Sequence, residues 1–120
     1  MNPAAYLRDR PGLNLILIIA WSTMIFYGSS LTQESLPEVA DDYSNWMHMA
    51  EYCVLGFLAH PYVRSPNAVL VATAACGLYG ASDEFHQMFI PGRGASLADL
   101  AWDLSGSFIG AFTAKVWGRL

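Results

Sequence analysis

Residues 13–31 read LNLILIIAWSTMIFYGSSL, a run of 19 residues without a charged side chain. A helix that crosses the hydrocarbon core of a bilayer needs about 20 mainly apolar residues, so this run predicts a transmembrane helix. Arg8 and Arg10 precede it, as basic residues precede the apolar part of a secretory signal. The run is too long for such a signal and has no small-residue cleavage pattern, so we interpret it as a retained first transmembrane helix.

The rest of the chain shares this apolar character. Hydrophobic residues make up 54% of the 120 residues, charged residues make up 13%, and the mean hydropathy is +0.31. A soluble domain carries about 25% charged residues. The apolar stretches of helical length lie at residues 13–31, 46–63, 67–82 and 97–117. The sequence therefore predicts one all-α domain over residues 1–120, a polytopic membrane protein with four transmembrane helices.

Charged residues divide between the two sides that these four helices define. All basic residues but one fall on the side shared by the two ends of the chain: Arg8, Arg10, Arg64, Lys115 and Arg119. Because cytoplasmic loops carry an excess of Lys and Arg, we predict cytoplasmic N- and C-termini in a multi-pass protein of the cell membrane. Every acidic residue except Asp9 falls on the other side, with Arg93. This asymmetry predicts an extracytoplasmic polar site.

One dense group of polar residues on that side is the segment 83–93, DEFHQMFIPGR, which follows the third predicted helix. Ionisable groups at the edge of lipid are costly and are typical of functional sites. The segment ends, with Gly94, in a turn signal whose glycines permit positive φ. His48, Glu51 and Tyr52 are three and four residues apart, so they share one face of the second helix. We expect that face to meet the segment.

The fourth predicted helix carries a second polar stripe. Asp99 and Asp103 are four residues apart, and the same face continues through Gly106 and Gly110. The two glycines form a G-x-x-x-G pattern, which lets a neighbouring helix backbone come close. Ser96 is a candidate N-cap, with Asp99 three residues later in the manner of a capping box. The stripe is therefore predicted to point into the bundle.

Two arrangements of these groups are open. In the first, carboxylate and imidazole groups hold a divalent cation, and Arg93 offers a planar fork for phosphate or carboxylate. The candidate metal ligands are Glu51, Asp83, Glu84, His86, Asp99 and Asp103, to which His48 adds a further imidazole. In the second, the groups satisfy one another in a buried network in which Arg93 pairs with Asp99 or Glu84. No metal-site or nucleophile motif such as H-E-x-x-H or G-x-S-x-G decides between them.

A larger set of residues between residues 30 and 110 has a familiar spacing. It comprises His48, Tyr52, Gly56, Tyr79, Gly80, Asp83, Glu84, Gln87, Phe89, Pro91, Gly92, Arg93, Ser96, Asp99, Gly106 and Gly110. This set resembles the VanZ-like family of small multi-pass membrane proteins, named for a component of teicoplanin (glycopeptide) resistance. The resemblance implies a prokaryotic cell-membrane protein connected with the cell envelope or with antibiotic resistance. It implies no particular reaction.

We therefore hypothesise a binding protein whose extracytoplasmic pocket takes an envelope lipid head group or a glycopeptide-like ligand and contributes to teicoplanin-type resistance. Its predicted contacts are His48, Tyr52, Asp83, Glu84, Gln87, Arg93 and Asp99. An alternative is a membrane enzyme acting on a lipid-linked phosphate or acyl group, with His48 or His86 as base and a divalent metal held by carboxylates. A second alternative is an interaction subunit that pairs the small-residue face of the fourth helix with a partner, in a homo- or hetero-oligomer. We expect no nucleic-acid partner.

Overall fold

A computed structural model describes residues 2–31, 44–92, 94 and 96–119 of the chain. Within these residues the protein forms five α-helices and no strand, which confirms the all-α prediction. In chain order the helices are α1 (Pro3–Arg8), α2 (Pro11–Ser29), α3 (Ser44–Tyr62), α4 (Ala68–Gln87) and α5 (Leu97–Trp117). Helices α2 to α5 correspond in order to the four apolar stretches of the sequence.

Helix α1 was not predicted from the sequence. The side-chain oxygen of Asn2 caps it by accepting the Ala5 N–H at 3.1 Å, and Pro3 occupies the first turn, where its missing N–H is no loss. Asn2 Nδ2 also donates to the carbonyl oxygen of Trp117, the last residue of α5. The first and last helices therefore meet at the same end of the bundle.

Helix α4 is longer than the predicted helix at residues 67–82. It continues to Gln87, so Asp83, Glu84 and Gln87 lie on a helix and not in the following loop, where the sequence analysis had placed them. All three side chains are buried, and their spacing puts them on adjoining parts of one face. The hydropathy of α4 falls after residue 82 because its buried face there carries polar side chains. The helix nevertheless continues to Gln87.

Only α2, among the residues the structure describes, is both long and apolar enough to cross a membrane by composition, with 19 residues and a mean hydropathy of 1.5. Helices α3, α4 and α5 have 19, 20 and 21 residues, which is sufficient length. Their histidines and carboxylates, and in α5 also Lys115, lower the hydropathy. The number of spans and the orientation of the termini stay predictions.

The closest helix pair is α3 with α5, and glycine makes this closeness possible. Gly106 faces the carbonyl oxygen of Met49, and Gly110 faces that of Cys53. On the other helix, Gly56 faces the carbonyl oxygen of Ser107. A Cβ at any of these three glycines would overlap the facing backbone. We call Gly56, Gly106 and Gly110 the glycine seam, and its position means that the small-residue face of α5 is occupied within the chain.

Two hydrogen bonds attach α2 to the other helices. Trp21 Nε1 donates to the carbonyl oxygen of Glu51 on α3 at 2.8 Å, and the Tyr79 hydroxyl of α4 donates to the carbonyl oxygen of Ser22. Because the indole N–H and the phenol hydroxyl have hydrogen-bond partners, these aromatic side chains can lie in an otherwise apolar contact between helices. These bonds fix α2 beside the helices that carry the polar residues.

The distribution of polarity is unusual for a protein in water. Asp103 is completely buried and Asp83 is 2% exposed, whereas Ile16 is 64% exposed and Leu78 is 75% exposed. In water-soluble proteins ionisable groups are almost never fully buried unless they are paired. The bundle thus places Asp83, Glu84 and Asp103 inside and many of its bulky apolar side chains outside.

Candidate functional site

The centre of the site is a buried pair between α3 and α5. His48 Nδ1 lies 2.8 Å from Asp103 Oδ1, and both side chains are buried. The glycine seam brings the two helix backbones close enough for these short side chains to meet. The structure therefore joins two residues that the sequence analysis had placed on separate inward faces.

Glu84 reaches the same region from α4. Its Oε2 accepts the backbone N–H of Ser96 at 2.9 Å, just before α5 begins. Ser96 Oγ in turn accepts the Asp99 N–H at 3.2 Å, which confirms the predicted N-cap. In a capping box the residue three positions after the cap accepts the N–H of the cap residue. Here Glu84, from another helix, accepts that N–H, so the start of α5 is bound to α4.

His48, Glu84 and Asp103 form a group that we call the His-carboxylate cluster. Each offers one ligand atom, and these atoms lie within 4.8 Å of one another. One imidazole nitrogen and two carboxylate oxygens are suitable ligands for zinc, manganese or iron, and three protein ligands would leave room for a water or a substrate. The cluster thus has the donor set of an open metal site as well as that of a polar binding site.

Several buried polar atoms of this region make no hydrogen bond with the described residues. They are Glu84 Oε1, Asp103 Oδ2 and the hydroxyl oxygen of Tyr52. Tyr52 is fully buried and lies within electrostatic range of the carboxylates of Asp83 and Asp103. Buried polar atoms are nearly always satisfied in native proteins, by protein, water or a ligand. The atoms left open are mainly acceptors, so they favour a partner that donates hydrogen bonds or carries positive charge.

His86 lies away from the cluster. Its Nε2 is 2.9 Å from Ser30 Oγ, and its ring stacks on Phe26 with the ring centroids 4.4 Å apart. Residues two apart on a helix point in different directions, so His86 cannot share the face of Glu84. Its contacts hold the end of α4 against α2.

The remaining predicted site residues lie around the cluster, except Arg93. Asp83 and Gln87 are buried on α4 beside Glu84, while Glu51 and Asp99 are half-buried on α3 and in the first turn of α5. Arg93, predicted as a ligand contact, lies outside the described residues. The polar residues of α3, α4 and α5 therefore converge, with His86 turned towards α2.

An apolar cleft adjoins Glu84. It has a volume of about 310 Å³ and is lined by Ala81, Glu84, Phe85, Met88, Ser96, Leu97 and Leu100. This cleft was not predicted from the sequence. The signal for it lay in apolar residues three apart on either side of the turn, at positions 85 and 88 and again at 97 and 100. The turn between them contains Gly92 with φ of 78°, the positive value expected of glycine there.

Taken together, fold and site define a small helical protein built around a buried polar site. The chain matches the model of the VanZ/LLP1 family over residues 7–118, which is nearly its whole length, and it belongs to that family. The resemblance noted from the sequence is thereby confirmed. No curated protein and no solved structure matches the chain.

Proposed function

We propose that this chain is a multi-pass protein of the cell membrane in which helices α2 to α5 all cross the bilayer. Each has 19 to 21 residues. At 1.5 Å per residue such helices are about 30 Å long, the thickness of the hydrocarbon core. The support for spans beyond α2 is the apolar exterior of the bundle, which includes Ile109 of α5 and Leu78 of α4. Lipid solvates such a surface, and the polar groups then belong inside.

The two ends of the bundle differ in charge, and this difference supports the orientation. Arg8, Arg64, Lys115 and Arg119 line one common cavity at the end where α1 meets α5. The excess of basic residues at that end corresponds to the cytoplasmic side. The His-carboxylate cluster lies towards the opposite ends of α3 and α5, which would then face the outside of the cell.

The extracytoplasmic pocket would bind an amphiphilic envelope ligand, either a lipid head group or a glycopeptide-like molecule. The observation that carries this proposal is the position of Glu84, where the apolar cleft meets the buried cluster. The apolar lining suits an acyl chain or an aromatic ring. The open acceptors on Glu84 and Asp103 suit ammonium, amide N–H or hydroxyl donors. Such binding would contribute to teicoplanin-type resistance, the role that the resemblance to the VanZ-like family implies.

A binding measurement tests this function. The full chain, purified in detergent, is mixed with phosphatidylethanolamine or with teicoplanin, and the complexes are counted by native mass spectrometry. Glu84→Gln should lower binding of whichever probe binds, and should lower teicoplanin tolerance in cells that express it at the wild-type level. Asp9→Asn is the matched control, because Asp9 is an exposed carboxylate at the opposite end of the bundle. Full binding and full tolerance in folded Glu84→Gln protein would contradict the proposal.

The second candidate is a membrane enzyme that acts on a lipid-linked phosphate or acyl group with a metal at the His-carboxylate cluster. The grouping of three ligand atoms within 4.8 Å favours it. His48, Glu84 and Asp103 would hold the ion, which would supply a Lewis acid or activate a water molecule. Metal analysis of purified protein should then find about one ion per chain, lost in Asp103→Asn. Protein that takes up no metal and turns over no lipid phosphate would exclude this candidate.

The interaction-subunit alternative gains no specific observation. It was based on the small-residue face of α5, and that face packs against α3 inside the chain. A partner would have to use another surface of the bundle.

A further inference from the structure

The second large polar feature is a cavity at the end of the bundle opposite the His-carboxylate cluster. Its volume is about 560 Å³, and it is enclosed by the end of α3, the turn to α4, the beginning of α4 and the last turns of α5. The charged side chains that line it are all basic, namely Arg8, Arg64, Lys115 and Arg119. Four cations around one cavity repel one another, and an anion between them would offset that repulsion.

His60 gives this cavity a buried polar wall. Its side chain is 6% exposed, and its Nδ1 makes no hydrogen bond with the described residues. His60 lines the cavity, and its Nδ1 is shielded from solvent beside it. Buried polar atoms normally have a partner in protein, water or a ligand, so this imidazole adds a polar group to the wall of the cavity.

The first turn of α4 adds a third feature. Residues 67–70 line the cavity, and the N-cap residue Asn67 makes no side-chain capping hydrogen bond. The beginning of a 20-residue helix carries partial positive charge and N–H groups without intrahelical partners, which together attract anions. No acidic side chain among the described lining residues competes for this position.

Arg64 is held in place for such a ligand. Its Nη2 donates to the carbonyl oxygen of Arg8 at 2.9 Å, which fixes α1 against the turn between α3 and α4. A guanidinium group has five N–H donors in a planar fork, so one bond to a carbonyl leaves others for phosphate oxygens. The arginine therefore serves both the closure of the cavity and the binding of an anion.

We propose that this basic cavity binds a phosphate group, at a site separate from the extracytoplasmic pocket. With the proposed orientation it opens at the cytoplasmic surface, where anionic lipids are found and where basic pockets between helices bind phosphorylated head groups. The phosphate belongs either to the head group of an anionic lipid or to a soluble phosphate ester. The site does not depend on the function proposed for the opposite end, so either proposal can fail alone.

The test uses the full chain in detergent, with binding followed by native mass spectrometry. The probes are phosphatidylglycerol, diacylglycerol without phosphate, and glycerol 3-phosphate. Phosphatidylglycerol binding without glycerol 3-phosphate binding identifies a lipid head group, and binding of both identifies phosphate itself as sufficient. Equal binding of phosphatidylglycerol and diacylglycerol, or no binding of either phosphate probe, overturns the proposal.

Variants at the exposed rim of the cavity complete the test without disturbing the core. Arg64→Gln should weaken phosphate binding about tenfold, which corresponds to a loss of about 1.4 kcal/mol of binding free energy. Arg10→Gln is the matched control, because Arg10 is exposed, packs over the Tyr6 ring and does not line the cavity. An equal loss in the control would show attraction by overall charge and would overturn the specific site.

Discussion

The acidic and basic ends of the bundle stabilise their charged side chains in different ways. At the acidic end Asp103 is wholly buried and pairs with His48, and Glu84 is held by the backbone of Ser96. At the basic end Arg64 and Arg119 remain exposed around an open cavity. Buried charges require partners within the fold, whereas rim charges are free to take them from a ligand or from water. Substitutions at the acidic end should therefore affect folding as well as binding, whereas those at the basic end should affect mainly binding.

The largest effect is expected where both ends depend on one contact, the glycine seam. In Gly110→Val, the added side chain would overlap the carbonyl of Cys53 and force α3 and α5 apart. We expect this backbone overlap to prevent the bundle from packing, with little folded protein on size-exclusion chromatography in detergent. Gly28→Val is the control, because a Cβ at Gly28 meets no atom within 4 Å. Equal yields and melting temperatures for the two variants would show that α3 and α5 are not in backbone contact.

The next largest effect should come from breaking the pair at the acidic end. Asp103→Ala leaves His48 buried beside an empty space, and breaking a buried pair by removing one member costs about 3 to 5 kcal/mol. Replacing both residues with leucine should restore part of this stability. Thermal unfolding in detergent measures both changes, with Asp9→Ala as the control. A melting temperature for Asp103→Ala equal to that of the control would mean that the pair does not form.

A smaller effect is expected from the cap that binds the acidic end to α5. Ser96→Ala removes the acceptor for the Asp99 N–H, and the loss of an N-cap typically costs about 1 kcal/mol. Ser105→Ala provides a matched control, since its exposed hydroxyl donates to the Ala101 carbonyl within α5. Thermal unfolding should separate the two. A larger loss in Ser105→Ala would contradict the assigned cap.

The smallest effect on stability is expected at the basic end. Arg64→Gln removes an exposed side chain and one exposed hydrogen bond, so the change should stay within about 0.5 kcal/mol. Melting temperatures of the wild type and of this variant should therefore nearly coincide in the absence of phosphate. A strong destabilisation would show that the basic end, like the acidic end, is part of the folding core.

The helices could be predicted from the sequence where composition and position agree. The run at residues 13–31 is apolar on all sides, and α5 has both an apolar stretch and a recognisable cap at Ser96, so their approximate bounds were evident. Gly92 was likewise expected in a turn. The end of α4 was not predicted correctly, because Asp83 and Glu84 lower the hydropathy although they are part of the helix and are buried.

The composition of the site could be predicted only in part, since faces within one helix follow from spacing and contacts between helices do not. The common face of His48 and Tyr52 was evident from their spacing. The pairing of His48 with Asp103 depends on how closely α3 and α5 approach, which the glycine seam sets. The role of Glu84 as acceptor for Ser96 depends on the position of a third helix. His86 was predicted as a metal ligand from its composition, and its contacts with Ser30 and Phe26 depend on how α4 packs against α2.

The claim that four helices cross the membrane, with the two charged ends on opposite sides, is tested most directly by cysteine labelling. Gly94→Cys at the acidic end and Asn67→Cys at the basic end are made separately in a chain whose native Cys53 and Cys76 are alanine. Both sites are exposed. A maleimide that cannot cross membranes should label Cys at position 94 in intact cells and label position 67 only after lysis. Labelling of both positions in intact cells, or of neither until lysis, would contradict the account.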